Sequence, residues 1–454
     1  MSSERNSSII ETIAAVATPP GKGGIGIIRL SGPDSFQIAE AISNHSAFEK
    51  RYATYAKFYT RDKDIIDSGL VVCFEGPNSF TGEHVAEIQA HGGPVVLKML
   101  LARVIELGAR QARPGEFSER AFINEKLDLA QAEAIADLIE SSSEAAAKAA
   151  TRSLQGEFSE NINLLLEELI NIRLYVESAI DFPEEEIDFL SDGIVLGKID
   201  KVIDQIKAVE KSAGSGQLLQ DGFKIALAGK PNAGKSTLLN AFSGYESAIV
   251  TDIAGTTRDS INITLDFDGL PIHITDTAGL RQSQDLVEQK GIEKAKKAIQ
   301  TADHVLVLVD VQSPSDLDCL FKEGIRKLDN ITVLFTKQDI YPAFSVKKDF
   351  SFPYKVISAK NKSGINELRD HIKSLAGYRS EDSNVYSARE RHLEAIRTAS
   401  EAVKKAKECL LANQAGELVA FELLVAQNAL NSITGEFNAD DLLGEIFSSF
   451  CIGK

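Results

Sequence analysis

The sequence has few of the residues that hold secreted or zinc-binding domains together. Its four cysteines, Cys73, Cys319, Cys409 and Cys451, lie far apart with no CxxC pair, and its seven histidines show no HxxxH spacing. Disulfides persist in oxidising compartments, and structural zinc sites use closely spaced cysteine or histidine pairs. We therefore expect neither disulfides nor zinc.

Long apolar runs are also missing. No run approaches the roughly 18 apolar residues that a membrane-spanning helix needs, and the start of the chain lacks the features of a signal peptide. We expect a cytoplasmic protein without a membrane segment. The terminal CIGK does not fit a prenylation signal, because Gly453 and Lys454 follow the cysteine, so we exclude a lipid anchor.

Positive charge is scarce. The chain has 49 Lys and Arg against 66 Asp and Glu, a formal net charge of −17 at pH 7. Such a charge repels a phosphate backbone at long range and disfavours a generic nucleic-acid binder. A nucleic acid would need a local basic patch. RQARPGEFSER, residues 110–120, is one candidate for that patch, and a solvated loop is the alternative.

The pattern of residue types divides the chain into several parts. Up to about residue 120, strand-like runs such as GIGIIRLSG and DSGLVVCF alternate with the helical PVVLKMLLARVIELG, which is typical of an α+β module. From Leu127 the sequence is rich in Ala, Leu and Glu and predicts long helices. KSAGSGQ, residues 211–217, indicates a break before a β-α-β pattern from about 223 to 375.

After that α/β block the residue pattern is again typical of helices. Since each helical half alone would expose an apolar stripe, we expect one helical domain interrupted by an insertion. Two separate helical domains are the alternative. We expect domains at 1–122, 123–217, 218–378 and 379–454, the second and fourth being the two parts of the helical domain. The fold class is then multidomain α/β: an α+β N-terminal domain, an all-α domain and an inserted domain with a mostly parallel sheet.

The inserted block begins with a phosphate-binding motif. KIALAGKPNAGKSTLLNAF places an apolar strand before GKPNAGKS, residues 229–236, and a helix after it, the context that GxxxxGK[ST] requires. Glycines let backbone N–H groups turn toward phosphate oxygens, and the helix N-terminus adds positive potential. We expect Lys235 to reach the outer phosphates and Ser236 to offer its hydroxyl to Mg²⁺.

Four further motifs follow in order and predict a Ras-like P-loop GTPase. DTAG places the Asp276 carboxylate at a strand end for the magnesium shell, and TDIAGTTRD supplies threonines that can close on Mg²⁺. Asp339 in TKQD can accept hydrogen bonds from both donors of guanine, and SAK ends another strand. The predicted GTP-binding residues are Asn232, Ala233, Gly234, Lys235, Ser236, Thr237, Thr251, Asp252, Ile253, Ala254, Gly255, Thr256, Thr257, Asp276, Thr277, Ala278, Gly279, Thr336, Lys337, Asp339, Ser358, Ala359 and Lys360.

Two positions depart from the usual GTPase pattern. The guanine motif usually begins with Asn, and Thr336 replaces it, so we expect some loss of loop rigidity without loss of guanine preference. Leu280 stands where small GTPases place a glutamine that orients water. Arg281 and Glu288 are the candidates to replace it, although a solvated residue at a helix start also explains Glu288.

Several stretches together resemble the MnmE (TrmE) family of tRNA modification GTPases. They are ATPPGKGGIGIIRLSG, GPNSFTGEHVAEIQAHGGP, ARPGEFSERAFINEKLDLAQAEAIADLI, DFPEEEIDFLSDG, the GTPase motifs and the terminal FCIGK. The resemblance implies a tetrahydrofolate-binding N-terminal domain that makes a homodimer contact. It also implies an FAD-dependent partner, MnmG, and an aminomethyl or carboxymethylaminomethyl group built on C5 of the wobble uridine of certain tRNAs. The one-carbon unit would come from 5-formyl- or 5,10-methylene-tetrahydrofolate.

The resemblance also implies roles for single residues. The implied potassium ligands are Asn232, Thr251, Ile253 and Thr256, the magnesium ligands are Ser236 and Thr257, and Glu288 orients water in a hydrolysis that needs GTPase-domain dimerisation. The implied folate-binding residues are Arg29, Glu87, Lys126 and Lys454. Cys451 is associated with the modification chemistry, and core packing is the alternative. A GTP-switched ribosome-assembly factor is the rival function, but such factors usually carry a basic appendage.

Overall fold

The computed structural model describes residues 11–181, 193–244, 262–276, 297–322, 329–346, 350–378, 385–412, 416–435 and 440–448, together with residues 450, 451 and 453. The chain forms two compact units. The first comprises Met1–Ala136, Leu154–Leu196 and Glu401–Lys454, and the second comprises Asp137–Ser153 and Gly197–Ser400. The domain boundaries at 122, 217 and 378 stay a prediction.

The strands and helices of the described residues are numbered in chain order. The strands are β1 (Ile13–Val16), β2 (Gly23–Ser31), β3 (Thr54–Tyr59), β4 (Ile65–Phe74), β5 (Val85–Gly92), β6 (Arg110–Gln111), β7 (Phe223–Gly229), β8 (Asn262–Phe267), β9 (Leu270–Asp276), β10 (His304–Asp310), β11 (Ile331–Thr336) and β12 (Tyr354–Val356). The helices are α1 (Ser35–Ser43), α2 (Pro94–Glu106), α3 (Glu116–Ile123), α4 (Leu129–Glu140), α5 (Glu144–Leu154), α6 (Glu157–Asp181), α7 (Ile194–Asp221), α8 (Lys235–Ser243), α9 (Asp316–Lys322), α10 (Ile365–Leu375), α11 (Glu390–Leu411), α12 (Gly416–Thr434) and α13 (Asp440–Ser448).

The first unit is built on a mixed six-stranded sheet with the order β3-β4-β5-β2-β1-β6. Alternation along β2 sends Ile28 and Leu30 into a core that includes the buried stripes of α1 and α2. Arg29, between them, points to the opposite face. The predicted strands GIGIIRLSG and DSGLVVCF are β2 and part of β4, and the predicted helix is α2, so the α+β module is confirmed.

The second unit contains the inserted α/β block. Its sheet has the order β12-β11-β10-β7-β9-β8, in which β7, β9, β10, β11 and β12 pair in parallel and β8 pairs antiparallel with β9. Parallel strands covered on both faces are almost continuously apolar, and β10 and β11 are buried along nearly their whole length. The expected mostly parallel sheet is confirmed.

The expected break at residues 211–217 is wrong, because α7 runs through it without interruption. The two glycines of the segment would each cost about 1 kcal/mol in a helix interior. A Cβ atom on Gly216 would lie 1.8 Å from the carbonyl oxygen of Tyr386. Close backbone approach therefore explains this glycine, and no turn is needed.

None of the helices in the described ranges is long and apolar enough to cross a membrane.

Candidate functional site

The phosphate-binding motif lies at the carboxyl end of β7, between β9 on one side and β10 on the other. In open α/β sheets, ligands bind at the carboxyl ends of the strands, at the point where the connections lead to opposite sides of a strand. Gly229 and Gly234 have φ values of 158° and 97°, and a Cβ atom on Gly229 would lie 2.7 Å from the carbonyl oxygen of Leu308. Asn232, with φ of 65°, also adopts a left-handed conformation, which asparagine tolerates. The loop turns as the motif predicts.

Helix α8 starts directly after this loop, with Gly234 as its N-cap. Lys235, Ser236 and Thr237 form the first turn, whose backbone N–H groups have no partner within the helix. The Lys235 Nζ donates to the carbonyl oxygen of Gly229 at 2.8 Å, which holds the ammonium against the loop. A turned loop, a helix N-terminus and a lysine together make an anion-binding site.

Thr336 ties the guanine motif to the phosphate loop. It ends β11, is 3% exposed, and its Oγ1 lies 2.7 Å from the carbonyl oxygen of Ala233 and 3.3 Å from that of Val309. A hydroxyl has one proton to donate, and the shorter contact is with Ala233. Threonine thus keeps a bond between the two loops, and the expected loss of rigidity stays a prediction.

The remaining guanine-site residues are held by specific contacts. The Lys337 Nζ lies 2.7 Å from Asp310 Oδ2; burial raises the pKa of Asp310, but the bonds from Lys337 and a backbone N–H outweigh it and hold the pKa below its ordinary value. The Ser358 Oγ donates to Asp339 Oδ1 at 2.5 Å, and the Asn361 N–H donates to Ser358 at 3.3 Å. The loop of residues 358–361 therefore fixes the carboxylate that the sequence assigns to guanine.

Part of the predicted GTP site lies outside the described residues. Of the motifs predicted to bind magnesium, TDIAGTTRD comes just before β8, which begins at Asn262. DTAG begins at Asp276, where β9 ends. The predicted site residues outside the described ranges are Thr251, Asp252, Ile253, Ala254, Gly255, Thr256, Thr257, Thr277, Ala278, Gly279, Glu288 and Lys454, together with the side chain of Asp276.

Two of the implied folate residues form an ion pair in the first unit. Arg29 on β2 lies opposite Glu87 on β5, and its Nε donates to Glu87 Oε1 at 3.0 Å. The guanidinium carbon lies 5.6 Å from the ring centroid of Phe80 and 5.9 Å from that of Phe117. At these distances the aromatic faces attract the cation and limit its movement. The side chain of Arg29 is 25% exposed and that of Glu87 is 16% exposed.

Lys126 reaches the same region through the loop of residues 79–84. A Cβ atom on Gly82 would lie 3.4 Å from Lys126 Cγ, and the Asn124 amide donates to the carbonyl oxygen of Thr81 at 2.7 Å. Phe80, which contacts Arg29, belongs to the same loop. The structure therefore brings Arg29, Glu87 and Lys126 around one loop.

The end of the chain docks on this unit. Gly453 is buried with φ of 98°, and a Cβ atom on it would lie 2.3 Å from the carbonyl oxygen of Val16. The neighbour of Val16, Ala15, pairs with Arg29 across β1 and β2. Cys451 is exposed, which does not fit core packing, whereas Cys73 is buried and burial raises its pKa to about 11.

The arginines of residues 110–120 lie in a network of ion pairs, and whether this segment meets tRNA or is only a solvated loop stays a prediction. Each of its arginines has acidic partners: Arg110 pairs with Glu11 and Glu116, Arg113 with Glu119, and Arg120 with Glu83 and Glu116. Acidic side chains of the same unit therefore lie beside each of these positive charges.

Sequence reasoning missed several residues that shape these sites. Phe80 lies inside the stretch GPNSFTGEHV, and Asp310 ends the apolar run HVLVLVD. The sequence pattern could therefore have indicated both residues. Phe117 lies inside the quoted stretch RQARPGEFSER, but its contact with Arg29 depends on how the strands and α3 pack.

Comparison with known proteins decides the family. The model described as the GTP-binding protein TrmE N-terminus matches residues 12–126, and the model described as the MnmE helical domain matches residues 129–451, most of the chain. The chain belongs to the MnmE family of tRNA modification GTPases. Both the resemblance and the prediction of a GTP-hydrolysing enzyme are confirmed.

Individual MnmE proteins are similar over nearly their whole length. The tRNA modification GTPase MnmE of Saccharophagus degradans is 53% identical over 451 residues, and that of Pseudomonas aeruginosa strain UCBPP-PA14 is 52% identical; each alignment covers 98% of this chain and 99% of the relative. Among solved structures, the G domain of T. maritima FeoB matches 34% of this chain and 98% of its own at 24% identity, with a TM-score of 0.28.

The bond from Thr336 gives a testable prediction. Thr336→Val keeps the side-chain shape but leaves the buried carbonyl of Ala233 without this donor. Since an unpaired buried polar group costs about 1–3 kcal/mol, we expect labelled GDP to dissociate about tenfold faster in stopped-flow fluorescence. Thr336→Ser, which keeps the hydroxyl, is the matched control and should release GDP at the wild-type rate. Equal rates in both variants would contradict the role of this bond.

Proposed function

We propose that this MnmE-family GTPase acts with an FAD-dependent MnmG partner to add an aminomethyl or carboxymethylaminomethyl group to C5 of U34 in certain tRNAs. A tetrahydrofolate derivative, 5-formyl- or 5,10-methylene-tetrahydrofolate, supplies the one-carbon unit. The enzyme works in the cytoplasm as a homodimer within a hetero-oligomer that contains MnmG. The observation that carries the proposal is the Arg29–Glu87 pair on a unit to which the Cys451 tail is docked, in a chain about half identical to named tRNA modification enzymes.

The chemistry of the residues fits a folate. A pterin ring presents amine and ring N–H donors, which suit a carboxylate such as Glu87. Arg29 donates a hydrogen bond to that carboxylate and orients it, while Phe80 and Phe117 supply flat apolar walls. The glutamate end of a folate carries carboxylates, which suit Lys126 and Lys454. When bound, the folate would supply the one-carbon unit.

Cys451 is the thiol that we assign to the uridine chemistry. Its exposure leaves it accessible to a tRNA base, and the docked neighbours on both sides limit where it can lie. A thiol acts as a nucleophile only after it loses its proton, and a nearby cation favours that loss. Lys454 is the cation that the local sequence offers.

The GTPase half needs two cations in the proposal. Ser236 and Thr257 bind Mg²⁺, and Asn232, Thr251, Ile253 and Thr256 bind K⁺ when two GTPase domains meet. Asn232 supports this assignment because it is exposed in the turned phosphate loop. Leu280 cannot hold a water molecule, so Glu288 orients the hydrolytic water.

The cation model predicts a specific salt dependence. GTP turnover, measured as phosphate release, should rise when potassium replaces sodium, and Asn232→Ala should remove the rise. Glu288→Ala should lower turnover by about a hundredfold, the usual scale for losing one group that acts in the transition state. Equal rates of the wild-type protein in the two salts would contradict the model.

The proposed function as a whole is tested in cells that lack the protein. Mass spectrometry of tRNA nucleosides should show loss of the C5 group from wobble uridine, and the wild-type chain should restore it. Cys409→Ser, a cysteine of α11 outside the tail, should restore it as well, and Cys451→Ser should not. Unchanged wobble uridine in the deletion strain would overturn the function and favour the ribosome-assembly alternative. Full restoration by Cys451→Ser would overturn the role of the thiol alone.

A further inference from the structure

A buried carboxylate organises the turn that precedes α3. Glu116 is 3% exposed, and its two oxygens accept hydrogen bonds from both terminal nitrogens of Arg110, at 2.6 and 3.1 Å, and from one of Arg120, at 3.2 Å. The backbone N–H of Arg113 donates a further bond at 2.7 Å. Burial raises the pKa of Glu116, but these bonds and the arginine charges outweigh it and hold the pKa below its ordinary value. The carboxylate therefore stays charged and fixes the turn of residues 113–116.

Gly115, at the tip of this turn, touches the C-terminal tail through its backbone. Its φ is 66°, and its N–H donates to the carbonyl oxygen of Cys451 at 3.4 Å. A Cβ atom on Gly115 would lie 2.3 Å from the carbonyl oxygen of Phe447 and 3.1 Å from Phe450 Cβ. Real Cβ atoms do not approach a carbonyl oxygen so closely. The tail can therefore sit here only against a glycine.

The tail is held on both sides of Cys451. Before it, Phe447 and Phe450 are buried in a cluster with Leu129 and Ala132. After it, Gly453 presses against the carbonyl of Val16. Cys451 itself is exposed. The arrangement restrains the backbone around the thiol and leaves the thiol open.

We propose that the turn of Gly115 and Glu116 is the seat of the C-terminal tail and the element that positions the Cys451 thiol. Both are positioning residues, since they act through the backbone of Phe447 and Cys451 and not on reacting atoms. The inference rests on the proposed function for what the thiol does. The seating of the tail does not depend on that function.

Gly115→Ala tests the seat, and Gly377→Ala is its matched control. Gly377 has a φ of 69°, close to that of Gly115, but a Cβ atom on it would meet nothing within 4 Å. Both variants therefore place an L residue in the left-handed region at the same backbone cost, and only Gly115→Ala meets the tail.

The readout is hydrogen exchange of the full-length protein, followed by mass spectrometry of the C-terminal peptide. We expect exchange at residues 447–453 to be about tenfold faster in Gly115→Ala and unchanged in Gly377→Ala, since a loss of about 1.4 kcal/mol in local stability is tenfold in opening. Wobble-uridine modification in cells should fall in Gly115→Ala alone. GTP turnover, which a general loss of folding would lower, should stay within about twofold of wild type in both variants.

The possible outcomes separate the seat from the proposed function. Wild-type exchange in Gly115→Ala would overturn the seat. Faster exchange with full tRNA modification would overturn its link to the thiol. If Cys451→Ser also keeps full modification, the assigned role of the thiol fails, and exchange alone still decides the seat. If Gly115→Ala does not accumulate, Glu116→Gln, which keeps the size and removes the charge, should speed tail exchange; an unchanged tail would again overturn the seat.

Discussion

The candidate modification site depends on backbone contacts that no side chain would permit. The tail reaches the first strand because Gly453 lies against the carbonyl of Val16, and it packs on the turn before α3 because Gly115 lies against the carbonyl of Phe447. A methyl group at either position would force the tail away. Gly453 and Gly115 therefore determine where Cys451 lies. The hydrogen bonds and ion pairs of Glu116 hold the turn that contains Gly115.

The nucleotide site also depends on a glycine that permits a close backbone contact, together with a hydrogen bond from one side chain. Buried parallel strands bring the ends of β7, β10 and β11 to one edge of the sheet, where the loops must approach closely. Gly229 allows the phosphate loop to pass the carbonyl of Leu308, and the hydroxyl of Thr336 joins that loop to the guanine motif. Threonine fills this place without the amide of the usual asparagine, because a single donor is enough to reach the carbonyl of Ala233.

Local patterns predicted much of this molecule, and long-range packing supplied the rest. The phosphate loop, the apolar strands and α2 each have a signature within about twenty residues, because turn chemistry and periodicity act locally. The pairing of Arg29 with Glu87 depends on the register of two strands 58 residues apart. Gly216 looked like a helix break because its neighbour, the carbonyl of Tyr386, is far away in sequence. The acidic partners of the arginines of residues 110–120, such as Glu11 and Glu83, are also distant in sequence.

The central claim is that the docked tail completes a folate site whose acceptor is Glu87. Isothermal titration calorimetry of 5-formyl-tetrahydrofolate tests it most directly, with the wild-type chain, Glu87→Gln and a chain ending at residue 449. A hydrogen bond to a charged group contributes about 1.5–3 kcal/mol, so each change should weaken folate binding by about tenfold or more while the affinity for GTP stays unchanged. Wild-type folate affinity in both altered chains would contradict the account.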